Sequence, residues 1–178
     1  ESLLLREEYA NQPTNIVGKG SLIDGPTLQL SGANGVDTFT IGANTYAIVA
    51  AFNDNGVQII DISDPAYPSP AGSLIDGLTL TLAGASDVDT FTIGANTYAI
   101  VAASNDNGVQ IIDISNPDSP SSVDAETDGM FGFDELNGAA DVQIFTIGAS
   151  TYAIVASLQD NGVQIIDVSN PANIVAGG

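Results

Sequence analysis

One phrase governs this chain. "NTYAIVAAFNDNGVQIIDISDP" (Asn44 to Pro65) returns almost unchanged at Asn96 to Pro117 and, slightly altered, at Ser150 to Pro171. Phe39 and Phe91 are 52 residues apart, and Phe91 and Phe145 are 54 apart. Residues 20–71 match residues 72–123 at 41 of 52 positions. The third copy carries two extra residues within "DGMFGFDELNGAADV" (Asp128 to Val142). Self-similarity at such a period marks solenoids, propellers and arrays, in which one supersecondary unit is stacked on its copies.

Each unit holds four strand-like segments. In the first copy these are Val36–Ile41, Thr45–Ala51, Val57–Ser63 and Ala71–Ile75, all rich in Val, Ile, Thr, Tyr and Phe. "GAN" separates the first two. "DNG" separates the second and third, and Asn-Gly is a strong hairpin signal. Prolines in "DISDPAYPSP" and "DISNPDSP" close the third, because proline cannot continue a ladder. The unit therefore reads as an antiparallel meander. Its alternation puts Tyr46, Ile48 and Ala50 on one side and Ala47, Val49 and Ala51 on the other, with Val57 and Ile59 opposed to Ile60 and Ile62. Both faces are apolar, so both must be covered, where a sheet with one wet face would alternate apolar with polar. A stack of four-stranded sheets describes propeller blades.

"DVDTFTIGANTYAIVAASNDNGVQIIDISNPDSP" (Asp87 to Pro120) resembles an LVIVD repeat: the "YAIVA" strand, the glycine after the hairpin, the "VQIIDIS" strand and the following Asn-Pro all correspond. The resemblance covers roughly residues 20–178, three times over. It implies a β-propeller fold and an extracellular or cell-surface setting, as in bacterial and archaeal surface proteins, and brings no shared catalytic residues. The period here is longer than the family's, with the excess mainly between Asp24 and Val36. The fold class expected is all-β: three propeller-like four-stranded antiparallel blades, open or completed by strand exchange with a neighbouring subunit. The expected divisions are an N-terminal arm at 1–14, a spare outer strand at 15–25, and repeats at 26–77, 78–129 and 130–178, the last without its full outer strand.

The ends of the chain suggest why. "NIVGKGSLIDG" (Asn15 to Gly25) aligns with "PSPAGSLIDG" (Pro68 to Gly77), so it reads as a fourth strand with no blade before it. The last copy reaches "PANIVAGG" where its own fourth strand should start. Uncovered apolar faces and an unpaired edge are association sites. The expected partner is a second copy, in a filament, in a closed dimer, or as a stretch of a longer array. A contact that does not close gives an open fibre. The residues expected at this assembly interface are Leu3, Leu4, Leu5, Arg6, Ile16, Val17, Lys19, Leu22, Ile23, Ile174 and Val175.

Charge narrows the remaining classes. There are 22 acids, two bases (Arg6 and Lys19) and no histidine, for a net charge of -20. Such a charge repels phosphate backbones and anionic lipid, which argues against nucleic-acid and membrane-surface binding. No apolar run reaches the roughly 20 residues of a membrane-spanning helix. The chain has no cysteine, hence neither a disulfide framework nor a thiolate metal site. With 44% apolar residues it is too rich in core-forming side chains for wholesale disorder.

Catalysis is not expected. Serines and threonines lack a His or Lys base, and the repeat body holds no cation after Lys19. Paired carboxylates are the one route left to a glycosidase, with Asp37 and Asp89, or Asp134 and Glu135, as the pairs to consider. No cofactor is required. Calcium is the ion to consider, at the turns "FNDNG", "SNDNG" and "LQDNG" through Asp54, Asp106 and Asp160, although each turn supplies two or three oxygens where a full loop needs about six. Simple turn chemistry is the plainer reading of Asp-Asn-Gly. Asp61, Asp113 and Asp167, and likewise Asp24, Asp76 and Asp128, read as turn-capping acceptors. The primary expectation is a non-catalytic structural protein that assembles head to tail. The rival is a calcium-dependent adhesion or ligand-binding module of a longer cell-surface protein.

Overall fold

The computed structural model describes residues 18–77 and 79–177. Twelve strands follow one another with no helix among the described residues: β1 (Ala33–Ile41), β2 (Asn44–Ala51), β3 (Gly56–Asp61), β4 (Ser69–Ile75), β5 (Ala85–Ile93), β6 (Asn96–Ala103), β7 (Gly108–Asp113), β8 (Ser121–Thr127), β9 (Ala139–Ile147), β10 (Ser150–Ser157), β11 (Gly162–Asp167) and β12 (Val175–Ala176). They form three antiparallel meanders, β1-β2-β3-β4, β5-β6-β7-β8 and β9-β10-β11-β12. The first strands β1, β5 and β9 are neighbours in space and make the inner edge of the stack. No helix among the described residues is long and apolar enough to cross a membrane.

The doubly apolar alternation does what the sequence requires of it. Ile48, Ala50, Val57 and Ile59 of the first sheet close on Leu82, Val88, Val101, Ile112 and Ile114 of the second. The opposite face of the second sheet, through Ile100, Ala102, Val109 and Ile111, closes on Val142, Ala153, Val155, Ile166 and Val168 of the third. The middle sheet is thus buried on both faces. In each unit an aromatic pair staples the first strand to the second, Phe39–Tyr46, Phe91–Tyr98 and Phe145–Tyr152, with ring centroids 5.4 to 5.6 Å apart.

Three local details depart from the sequence expectation. The Asp-Asn-Gly turn is a four-residue loop, since Ala51 pairs with Gly56. Asn55, Asn107 and Asn161 take the left-handed conformation (φ 54 to 55°), and the following glycine is already in the strand. That glycine is required by crowding: a Cβ on Gly56 or Gly108 would run into the carbonyl oxygen of Leu74 or Glu126. Proline also enters the ladder. Pro70 pairs with Ile60 at a register shift in the outer strand, the edge position where a missing N–H is tolerated. In the third unit, the insertion turns Phe133 and Leu136 into the core, while Asp134 and Glu135 are exposed.

The spare strand expected at 15–25 is not formed over the described part. Residues 18–24 are irregular, and Gly25 makes only an isolated bridge to Leu28. The physical reason is the absence of a ladder partner for 18–24 among the described residues. Their placement is nonetheless strand-like. "GSLID" occurs at 20–24 and again at 72–76, where it is the body of β4. Gly72 packs on Pro117 and Pro120 of the second sheet's unit, and Gly20 packs on Pro65 and Pro68 of the first in the same way. The segment thus lies on the first sheet as β4 lies on the second.

Candidate functional site

Two features could carry function: the carboxylates of the inner strands and the open faces at the ends of the stack. On the inner strands, aspartates reach from one sheet to the next. Asp37 Oδ2 accepts the backbone N–H of Thr90 at 2.8 Å and its hydroxyl at 2.5 Å. Asp89 Oδ2 accepts the N–H of Ile144 at 2.6 Å and Gln143 Nε2 at 2.5 Å. Asp87 Oδ2 accepts the N–H of Val142 at 3.0 Å. The carboxyl groups also meet each other across the sheets, Asp87 with Asp141 and Asp89 with Asp37. Partial burial, followed by the bond to Asp141, pushes Asp87 up to about 6. Burial is the leading cause for Asp89 as well, which is also raised, with Asp37 adding to it. Asp37 and Asp89, considered above as a catalytic pair, are brought together, but as hydrogen-bonded links between adjacent sheets.

The turn aspartates are acceptors for loop amides. Asp54, Asp106 and Asp160 take the N–H of Ser31, Ala83 and Asn137 at 2.7 to 2.8 Å. Asp24, Asp76 and Asp128 take those of Leu30, Leu82 and Leu136 at 3.0 to 3.4 Å. Asp61, Asp113 and Asp167 cap the N–H two residues on, at 2.8 to 2.9 Å. The Ser63 side chain, followed by its backbone N–H, holds the Asp61 carboxyl below the usual range. Among the described residues no three acidic side chains gather in a metal-sized group.

Sequence reasoning missed the buried glutamines. Gln110 is fully buried; its Oε1 accepts the N–H of Thr81 at 3.0 Å, and its Nε2 donates to the carbonyls of Ile111 and Asp124. Gln58 repeats this with Gln29, Ile59 and Gly72. The signal was present: one polar residue at the same place in three apolar strands has to be satisfied internally.

The open faces are defined by comparison with the middle sheet. Val163 and Ile165 of β11 are 55% and 41% exposed, whereas their repeat equivalents Val109 and Ile111 are fully buried. At the other end Val36 is 62% exposed, and its equivalent Val88 only 3%. A cavity of about 480 Å3 separates residues 20–24 from the first sheet, with Leu22, Ile23, Val49, Ile60 and Ile62 in its walls. The outer edge of β11 is also incomplete among the described residues. Its ladder with β12 covers only Ile166 and Asp167, extended by the Gly177 N–H to the Ile165 carbonyl, whereas β4 pairs along β3 as far as Gly56.

The residues expected at an assembly surface divide accordingly. Leu3, Leu4, Leu5, Arg6, Ile16 and Val17 lie outside the described residues. Lys19 and Ile23 are exposed, Leu22 is half-buried in the cavity wall, and Val175 is exposed. Ile174 corrects the expectation: it is 3% exposed, packed into the core between the second and third sheets, and its N–H is held by Asp124 Oδ2 at 2.9 Å.

The LVIVD repeat model matches residues 44–76, 96–125 and 150–177, together just over half of the chain. The chain belongs to the LVIVD repeat family. No curated protein matches it by sequence. Among solved structures it is similar to a functionally unknown protein from Desulfotomaculum acetoxidans, at 16% identity and a TM-score of 0.58 over 83% of this chain and 41% of that one. It is also similar to an exo-β-1,3-galactanase from Phanerochaete chrysosporium (18% identity, TM-score 0.58, 90% and 41% of the two chains). A family 117 glycoside hydrolase from Zobellia galactanivorans shows the same likeness at 9% identity (TM-score 0.58, 88% and 48%). At these identities the likeness is one of fold, and it establishes this LVIVD chain as an all-β stack of propeller-like blades. The chain spans between two fifths and a half of the length of those structures.

Proposed function

We propose that this LVIVD chain is a non-catalytic structural protein whose blades complete one another between copies, head to tail, into a filament or surface layer. The observation that carries this reading is the duplicate "GSLID". At 72–76 it is an outer strand paired with Gly56–Gln58; at 20–24 it occupies the matching place on the first sheet, with no ladder among the described residues. The edge of β11 at Gly162–Gln164, which has no ladder partner beyond β10 among the described residues, is the sequence equivalent of Gly56–Gln58. Ser21, Leu22 and Ile23 of one copy therefore fit β11 of the next, in the register of Ser73, Leu74 and Ile75 on β3. Strand addition to an exposed edge supplies main-chain hydrogen bonds, and alternate side chains supply register. Covering a Val or Ile side chain adds about 1.5–3 kcal/mol each. The inner carboxyls support a non-catalytic role, because they bond to neighbouring backbone and to each other. The extracellular or cell-surface setting is part of the proposal and follows the family resemblance.

Light scattering after size exclusion, with electron microscopy of the same fractions, tests it. Species larger than the 18.1 kDa chain that grow with concentration are expected, and deleting residues 1–25 is expected to abolish them. A folded monomer at high concentration, or undiminished assembly of the deletion variant, contradicts the reading.

A further inference from the structure

The sheet faces, not only the strand edge, carry information about how two copies would meet. The two internal joints follow one plan. Asn55 Oδ1 accepts the N–H of Gly84 across the first joint, and Asn107 Oδ1 accepts that of Gly138 across the second, at 2.8 and 2.9 Å. On the apolar side Val57 lies against the sheet that carries Val88, and Val109 against the sheet that carries Val142. On the inner strands, two rows of side chains face each other. At the first joint the rows bring Gly35 to Asp87 and Asp37 to Asp89. At the second they bring Asp87 to Asp141 and Asp89 to Gln143. Each internal joint therefore contains one carboxyl–carboxyl contact.

Continuing the plan by one step places Asp141 against Gly35 of another copy and Gln143 against its Asp37. This would be a joint with no carboxyl–carboxyl contact. The two departures from the repeat, glycine at 35 where the other copies have Asp87 and Asp141, and glutamine at 143 where they have Asp37 and Asp89, each remove one acid from this meeting. For a chain of net charge -20, that lowers the local repulsion between two copies, and a glutamine amide facing Asp37 supplies a donor, as Gln143 does to Asp89. Gly35 serves the fold as well, since a Cβ there would approach Asp87 to 2.5 Å.

We propose that the third sheet of one copy takes the first sheet of a second copy on its open face, in the register of the internal joints, with Asn161 facing Gly32, Asp141 facing Gly35 and Val163 packing beside Val36. The proposal rests on the self-assembly reading above and adds its geometry. The joint is heterologous: the two copies contribute different faces, where a two-fold contact would bury the same face twice.

Complementation tests it. Val163→Glu blocks the tail face, and Val36→Glu blocks the head face; both side chains are exposed in the free chain, and circular dichroism checks that each variant folds. Each variant alone is expected to be monomeric by light scattering, and their mixture to form one-to-one dimers, because one intact head then meets one intact tail. Ile165→Glu replaces Val163→Glu should the latter misfold. Assembly of either variant alone, or a mixture that stays monomeric while the wild type assembles, overturns the proposed joint. A monomeric wild type instead overturns the self-assembly reading on which it rests.

Discussion

Asp87 of the second sheet accepts the backbone N–H of Val142 in the third at 3.0 Å, which sets its carboxyl beside that of Asp141. A group of one charge sign thus sits on the joint between two stacked blades, and its protonation is coupled to their contact.

Stability should accordingly fall as pH rises. The folded carboxyl of Asp87 is raised from 3.8 to about 6, so its contribution is fully present below 3.8 and lost as pH passes through about 6. Asp89 is shifted in the same direction. Thermal melts across this range should show a falling Tm, and Asp87→Asn should make the fall shallower. A wild-type Tm that rises over the same interval contradicts the assignment.

The buried glutamines make an internal comparison. Gln110→Ala leaves the Thr81 N–H and the Asp124 carbonyl without this partner, and an orphaned buried group costs about 1–3 kcal/mol. Among the described residues Gln164 bonds the Ile165 carbonyl and has no counterpart of the Thr81 N–H on its Oε1. Urea unfolding should therefore show a substantially larger loss for Gln110→Ala than for Gln164→Ala; equal losses would refute the clamp role.

The strand glycines separate backbone crowding from side-chain crowding. A Cβ at Gly108 meets the Glu126 carbonyl oxygen, which belongs to a paired strand. A Cβ at Gly162 meets Glu135 Oε2, the mobile end of an exposed side chain. Gly108→Ala is expected to lower Tm strongly and Gly162→Ala only slightly. The reverse order in calorimetry would show that the two loops are packed differently.

The turn acids offer a test of metal against capping. Asp106→Ala removes the acceptor of the Ala83 N–H and should cost about 1 kcal/mol, the net worth of one hydrogen bond. Under the capping role the loss is the same with and without added calcium. A calcium-dependent rise in Tm that is present in the wild type and absent from the variant would assign these turns to the metal instead.

Much of the fold was legible because the repeat prints its strands three times. Tyr46, Ile48 and Ala50 set against Ala47, Val49 and Ala51 revealed two buried faces, and the structure covers both faces of the middle sheet. Less legible were features that depend on a neighbour distant in sequence. The start of β1 at Ala33 depends on pairing with Ala51 across an irregularity at Gly35. The inward turn of Phe133 and Leu136 depends on the space left between the second and third sheets. Ile174 looked like part of an open end and is buried for the same reason. The inter-sheet bonds of Asp37, Asp87 and Asp89 could not be read from spacing, since the offset of 53 to 55 residues acquires meaning only once the sheets are stacked.

Hydrogen exchange on the wild-type chain, dilute against concentrated, tests strand completion most directly. The account predicts that backbone amides within Ser21–Ile23 and Gly162–Gln164 gain protection together as concentration rises, while the already paired β7 is unchanged. Assembly in which neither segment gains protection would contradict it.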